Sequence, residues 1–278
     1  MASEARYRTA MDEEIHEKHM QTTLTDKQFK QLASLVYKES GIHLSENKVS
    51  LLQARLAKRL RATRIGSITE YIGHIADNPE EYVNFIDGVT TNHTYFFREN
   101  KHCEFILKTI DKSMPLKIWS AASSSGEEAY SIAVQLLWAG YLFDIVGSDI
   151  SGTMLATAAR GIYPLERAKL IPPDILHRYF QRGLNRYQNH IRVKDEAKRH
   201  VTFRRFNLIT DTPTDKYDII FCRNVMIYFD LPTKQRVVAN LMQALKPNGY
   251  FIIGQSENML GINPGLGSVT PSIYKMGR

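Results

Sequence analysis

The chain has 278 residues, of which 43% are hydrophobic and 23% charged, with 16 Gly, 10 Pro and only 2 Cys. Those proportions exclude disordered, collagen-like and disulfide-stapled classes, and the length allows one large core or two smaller ones without metal or disulfide staples. The net charge of +7 is concentrated in two zones: residues 45–64 hold six basic residues against Glu46, and residues 160–206 hold twelve against four acidic ones. Such zones fit an acidic partner (nucleic acid, anionic lipid or protein surface) or are simply solvated helix faces. Cys103 and Cys222 have no Cys-x-x-Cys spacing, which reads as a reduced, cytoplasmic setting. No apolar run approaches the ~20 residues of a membrane span, and the mixed-charge start MASEARYRTAMDEEIHEKH lacks a signal core.

Residues 1–24 are polar and aperiodic and read as a flexible tail. A small all-α domain follows over 25–90. Thr25 and Gln28 form a capping box ahead of the stripe Phe29, Leu32, Val36, which ends at Gly41. Ser45 caps a second helix with Val49, Leu52, Leu56 and Leu60. Ser67 opens a third with Tyr71, Ile72 and Ile75, and Pro79 a fourth with Tyr82, Phe85, Ile86 and Val89. Residues 91–115 link this domain to a different pattern, and Tyr95, Phe96 and Phe97 there read as interdomain core. From 116 to 278, strands and helices alternate. A strand at Leu116–Trp119 leads through a small-residue loop, Ser120–Gly126, into a helix at Glu127. Further strands end at Asp149, span Tyr217–Cys222, and, after a turn at Lys246–Gly249, run Tyr250–Gly254. The fold class is α/β, a Rossmann-like doubly wound parallel sheet. Residues 188–206 read as a two-stranded hairpin, and Ser268–Met276 as an edge strand.

In such a sheet a ligand sits beyond the carboxyl ends of the strands. The Ser120–Gly126 loop has neither Gly-x-Gly-x-x-Gly nor Gly-Lys-Ser/Thr, which argues against a dinucleotide or a nucleoside triphosphate. Glu127 and Glu128 would repel a pyrophosphate and instead welcome an ammonium, although two first-turn acids also suit the helix dipole. Asp149, at the end of the second strand, can accept both hydroxyls of a ribose or help to start the next helix. Ribose plus ammonium without phosphate points to S-adenosyl-L-methionine. Asn207 follows a strand and suits an adenine edge, while Arg223 and Asn224 are polar groups inside an apolar run and need partners if buried. No zinc spacing and no Gly-x-Ser-x-Gly occur.

The segments TTNHTYFFRE (90–99), WSAASSSGEEAYSIA (119–133), SDI (148–150), FNL (206–208), FCRNVMIYFD (221–230) and LKPNGYFIIGQSE (245–257) together resemble the CheR family, S-adenosyl-L-methionine-dependent methyltransferases of bacterial chemotaxis receptors. The resemblance covers residues 24–274. It implies a helical N-terminal domain, a methyltransferase domain with a small β-subdomain near 188–206, and a 91–115 segment contributing to the cofactor pocket. It assigns Asn92, Thr94, Arg98, Glu128, Asp149, Asn207, Leu208, Arg223 and Asn224 to the cofactor, and places Arg98 and Tyr228 nearest the transferring methyl. Two residues depart from the family pattern: Ala129 replaces the usual Pro, and Ser123 stands where Ala or Cys is common.

The implied reaction methylates γ-carboxylates of receptor glutamates, giving methyl esters and S-adenosyl-L-homocysteine, with no metal. A glutamate is already ionised at neutral pH, so orientation matters more than a base. Lys48, Arg55, Lys58 and Arg59 then read as a docking face for glutamate-rich methylation helices of methyl-accepting chemotaxis receptors. A receptor C-terminal peptide at the β-subdomain stays open, since Gly183-Leu-Asn-Arg186 is poor in glycine. The resemblance implies a cytoplasmic monomer, neither membrane-inserted nor acting on nucleic acid. A nucleic-acid methyltransferase of the same fold would carry Asn/Asp-Pro-Pro-Tyr/Phe or Pro-Cys where this chain reads Arg-Asn-Val-Met. A non-catalytic S-adenosyl-L-methionine sensor is the other alternative, disfavoured by the presence of Arg98 and Tyr228.

Overall fold

Local signals start and stop the first four helices, as a computed structural model describing residues 23–90, 92–262 and 265–277 shows. The tail predicted over 1–24 lies, up to residue 22, outside the described residues. Thr25 and Gln28 form the expected capping box for α1 (Asp26–Ser40), and Gly41 closes it at φ 71°. A short 3-10 turn, Glu46–Lys48, precedes α2 (Val49–Thr63). Ser45 does not cap it; its hydroxyl donates to Asn47 Oδ1 at 2.6 Å instead. Ser67 accepts from the Glu70 N–H to start α3 (Ile68–Asp77), and Asn78 from the Glu81 N–H to start α4 (Pro79–Val89), with proline in the first turn. The apolar stripes meet in one core of Leu32, Val36, Leu52, Leu56, Leu60, Tyr71, Ile75 and Phe85, all at most 2% exposed. Inside it a buried carboxylate ties three helices together. Glu81 accepts from Arg59 Nε at 2.9 Å, from Arg59 NH2 at 2.6 Å and from the Tyr71 hydroxyl at 2.6 Å.

The chain divides at the Thr90–Thr91 bond into two compact units, of which these helices form the first. The second contains α5 (Lys101–Thr109), β1 (Leu116–Ala121), α6 (Glu127–Ala139), β2 (Phe143–Asp149), α7 (Gly152–Arg160), β3 (Ile162–Pro164), α8 (Pro173–Tyr179), β4 (Phe180–Arg182), β5 (His190–Val193), α9 (Asp195–Lys198), β6 (Val201–Arg205), β7 (Tyr217–Cys222), α10 (Leu231–Met242), β8 (Leu245–Ile253), β9 (Leu266–Thr270) and β10 (Ile273–Met276). Its main sheet runs β6-β2-β1-β7-β8-β10-β9. The first five strands are parallel, and β10 and β9 are added antiparallel. The chain leaves β1 toward β2 and β6, then returns on the other side to β7 and β8. The topological switch point therefore lies between β1 and β7, where such sheets bind ligands.

Four sequence expectations change. Residues 188–206 are not one hairpin: β5 pairs antiparallel with β3 and β4 in a separate three-stranded sheet, whereas β6 is the parallel edge strand beside β2. The intervening "polar turn" is α9, and the small sheet draws its strands from residues 162–193. The turn foreseen at Lys246–Gly249 is a bulge inside β8, because Leu245 pairs with Tyr217 and Tyr250 already with Ile219. Ser268–Met276 holds parts of two strands, not one edge strand. Finally, residues 92–115 belong to the second unit. Phe96 is fully buried in that unit's own core, edge-on to Tyr163 (4.9 Å) and Phe180 (5.2 Å). Among the described residues no helix is long and apolar enough to cross a membrane.

Candidate active site

Between β1 and α6 the loop Ser120–Gly126 turns sharply, with φ of 61° at Ala122, 50° at Ser124 and 91° at Gly126. Small residues are needed. A Cβ on Gly126 would lie 2.8 Å from Ala158 Cβ and 2.9 Å from Phe203 Cζ, at a φ that also favours glycine. Backbone bonds fasten the loop to β2: the Ser123 N–H donates to Ser148 O at 2.8 Å, and the Ser124 N–H to Asp149 Oδ2 at 2.8 Å. Asp149 also accepts from the Ser151 N–H at 3.0 Å, while the Ser151 side chain caps α7. The Ser123 hydroxyl is buried with no hydrogen-bond partner among the described residues.

The two adjacent glutamates at the start of α6 have separate fates. Glu127 is fully buried, ion-paired with Arg167 and hydrogen-bonded by the Ser125 hydroxyl at 2.6 Å, so it is committed to holding the loop. Arg167 also reaches Thr94 O (3.3 Å) and Ser125 Oγ (3.4 Å), from the turn that follows β3. Glu128 points elsewhere. It accepts from Ser120 Oγ at 2.7 Å and from Arg223 NH1 at 2.9 Å. Arg223, just past β7, has a second carboxylate, Glu99 at 3.1 Å, and it donates to Arg98 O at 2.7 Å.

Glu99 is a residue that sequence reasoning missed. It also accepts from Asn224 Nδ2 (3.1 Å) and the Gln255 N–H (2.9 Å). Burial pushes its carboxyl up, but the Asn224 and Gln255 hydrogen bonds and the Arg223 charge outweigh this and hold it below the usual carboxylate range. Two carboxylates thus share one guanidinium, a formal charge of about −1 for the cluster. A second residue missed is Glu257, which accepts the N–H groups of Asn224 (2.8 Å), Gly254 (2.7 Å) and Ile227 (3.2 Å). Neither glutamate carries a local pattern; their only sequence signal is their place inside the segments 90–99 and 245–257. His102 lies beside the cluster, donating to or accepting from Ser272 Oγ at 2.7 Å, and burial together with the Arg223 charge lowers it to about 4, so it is neutral at pH 7.

The predicted cofactor residues do converge. Glu128, Asp149, Asn207-Leu208 and Arg223-Asn224 sit at the carboxyl ends of β1, β2, β6 and β7, which are neighbours in the sheet. Asn92 and Thr94 join through their carbonyls, Asn92 O accepting from Ser124 Oγ at 3.4 Å. Asn207 is buried, and its side-chain oxygen accepts from the Ile209 N–H at 2.9 Å, fixing the turn after β6. Arg98 lies half-buried with NH1 on His93 O (2.8 Å) and its guanidinium 5.6 Å from the Tyr95 ring centre. Tyr228 is half-buried on the 3-10 turn Met226–Tyr228, and its hydroxyl makes no hydrogen bond to the described residues.

The predicted docking set, in the first unit, needs correction. Lys48 and Lys58 are exposed on or just before α2. Arg59 instead forms the buried pair with Glu81, and Arg55 donates to Gly88 O at 3.0 Å. Helical periodicity placed Lys48, Arg55 and Arg59 near one face with Lys58 beside it, but said nothing about which of them found partners inside. The exposed cations of α2 and its two caps are Lys48, Lys58, Arg61 and Arg64. Among the described residues no group of His, Cys, Asp and Glu is arranged to hold a metal ion.

The residues fit an S-adenosyl-L-methionine group in charge and in their placement at the strand ends. The uncompensated negative charge at Glu128 and Glu99 suits an ammonium, Asp149 stands at the strand end where ribose hydroxyls are read, and no basic or Gly-rich phosphate cradle is present in the loop. Comparison with known proteins gives the same class. The family described as "CheR methyltransferase, SAM binding domain" matches residues 92–272, and "CheR methyltransferase, all-alpha domain" matches residues 27–90. The chain belongs to the CheR methyltransferase family. It is 40% identical to chemotaxis protein methyltransferase 2 of Pseudomonas aeruginosa over 260 residues, covering 90% of this chain and 93% of that protein. It is 37% identical to the chemotaxis protein methyltransferase of Escherichia coli (84% of this chain, 85% of that one) and 35% identical to that of Borreliella burgdorferi (92% and 96%).

Proposed function

We propose that this chain is a protein-glutamate O-methyltransferase acting on the cytoplasmic helices of methyl-accepting chemotaxis receptors. The observation that carries the reading is the Glu128–Arg223–Glu99 cluster at the switch point of the sheet, with one cation between two carboxylates. S-adenosyl-L-methionine, when bound, supplies an activated methyl group on a sulfonium. Glu128 would hold its ammonium, Asp149 its ribose hydroxyls, and Asn207 and Leu208 its adenine end, with Asn92 and Thr94 closing that side. Asn224 stays in place through its two carboxylate partners.

The substrate carboxylate arrives already ionised, so the chain needs only to strip its water and aim one oxygen. Arg98 and Tyr228 are assigned that task. The Arg98 guanidinium leaves His93 O for a stronger, charge-assisted partner, and the free Tyr228 hydroxyl donates a hydrogen bond. A hydrogen bond to a charged group contributes roughly 1.5–3 kcal/mol, so Arg98→Ala is expected to lower turnover by one to two orders of magnitude. In this reading the exposed cations of α2 face the glutamate-rich receptor helices, and the enzyme works as a cytoplasmic monomer without a metal.

The test incubates the protein with methyl-labelled S-adenosyl-L-methionine and a receptor cytoplasmic fragment, then measures label released as methanol by mild alkali. Base-labile label that disappears in Arg98→Ala supports the proposal. Cofactor binding without base-labile transfer to any receptor fragment refutes it.

A further inference from the structure

Glu257 performs no task in the account above, yet it is among the most heavily used carboxylates in the second unit. The 3-10 turn Met226–Tyr228 begins at Val225, whose side chain cannot cap it. The first N–H groups of such a turn have no partner of their own and must find one elsewhere. Glu257 supplies it from the far side of the sequence. Its Oε1 accepts the Ile227 N–H at 3.2 Å, and its Oε2 accepts the Asn224 N–H at 2.8 Å and the Gly254 N–H at 2.7 Å. No cation pairs with Glu257 among the described residues, so backbone dipoles alone stabilise the charge. Burial outweighs them and pushes the carboxyl above its usual range.

The packing leaves no slack around this node. Asn224 sits at φ 58°, a left-handed conformation that asparagine tolerates better than other non-glycine residues and that persists where its surroundings hold it. A Cβ on Gly254 would lie 2.6 Å from Asn224 Nδ2 and 2.8 Å from Glu257 Oε2. Asn224 is therefore gripped twice, its backbone by Glu257 and its side chain by Glu99. Tyr228 rides on the turn whose start the same carboxylate caps.

We infer that Glu257 is a positioning residue: it sets the conformation of the segment Arg223–Tyr228 and so the placement of Asn224 and Tyr228 for methyl transfer. The inference rests on the function proposed above, and its test separates the two. Glu257→Gln removes the charge and turns an NH2 group toward N–H donors, while Gly254→Ala presses a methyl into the node from the opposite side. Both are compared with the parent full-length chain by far-UV circular dichroism, by amide hydrogen exchange of the peptide covering residues 221–230, and by kcat and receptor KM per site titrated with S-adenosyl-L-homocysteine.

The expected result is unchanged secondary structure, at least tenfold faster exchange in that peptide, and kcat per competent site at least tenfold lower with receptor KM within twofold. A purely structural role would instead lower the fraction of competent sites and leave kcat per site alone. Exchange or kcat per site within twofold of the parent in both variants overturns the inference, and Gly254→Ala decides the matter if Glu257→Gln fails to fold. A parent chain that transfers no methyl group refutes the proposed function, and the exchange measurement still decides whether Glu257 orders the segment.

Discussion

Removing the Arg167 guanidinium strands a carboxylate in the protein interior. Glu127 is fully buried, and without Arg167 its one remaining side-chain partner among the described residues is the Ser125 hydroxyl. Breaking a buried pair by deleting one member costs about 3–5 kcal/mol. The Arg167 side chain is 36% exposed, so water can enter the vacated space, which favours the lower end, about 3 kcal/mol. At about 2–4 °C per kcal/mol for a domain of this size, Arg167→Leu is expected to lower the midpoint of thermal unfolding by roughly 6–12 °C. Both tryptophans, Trp119 and Trp138, lie in the second unit, so their fluorescence at pH 7 follows that unit specifically. Adding Glu127→Gln removes the stranded charge and should restore about half of the loss. A single variant within 2 °C of the parent, or a double variant no more stable than the single, would refute the reasoning.

Four further outcomes follow from the same geometry. Reversing the exposed pair Lys58→Glu and Arg61→Glu should raise receptor KM roughly tenfold at low salt, an effect that shrinks as salt is added, with S-adenosyl-L-homocysteine affinity unchanged. Arg59→Ala should instead destabilise the helical unit by about 2–3 kcal/mol in urea titrations, because Glu81 loses its bidentate partner. Burial raises the Glu81 carboxyl, but its bonds from Arg59 and Tyr71 prevail and leave it below the usual value for a glutamate. Its contribution to stability is therefore complete above that value and is lost as pH falls through the lower folded one, which chemical denaturation between pH 6 and pH 3 would reveal; a flat profile in Glu81→Gln is the control. Burial pushes Cys103 up to about 12 and Cys222 well above its usual value, so neither should react with iodoacetamide at pH 8 until the protein is unfolded, as mass spectrometry would show.

The elements most legible in the sequence are those fixed by their immediate neighbours. Thr25 with Gln28, Ser67 and Asn78-Pro79 each mark a helix start within four residues, and each does so in the structure. The Ser120–Gly126 loop and the carboxylates at Glu128 and Asp149 were legible because a parallel sheet fixes where its strands end. What failed depended on distant partners. Alternation within 188–206 marks extended chain but not which sheet receives it, and β5 and β6 went to different ones. Charge spacing on α2 does not show that Arg59 faces Glu81, two helices away. Glu127 and Glu128 look alike in sequence, and only Arg167 and Arg223 distinguish them. Glu99 and Glu257 were missed because a lone glutamate in a loop carries no period; their significance lies in N–H groups that other turns leave unpaired.

Asp149 draws its orientation from two backbone N–H groups, those of Ser124 and Ser151, before any ligand arrives. The side-chain entropy of that carboxylate is thus settled once, during folding, and need not be lost again at each binding event. The arrangement also removes a degree of freedom from evolution. A substitution at Asp149 releases the loop after β1 and the start of α7 together, so under the proposed function ligand affinity at this position cannot be tuned independently of the integrity of the sheet's carboxyl edge.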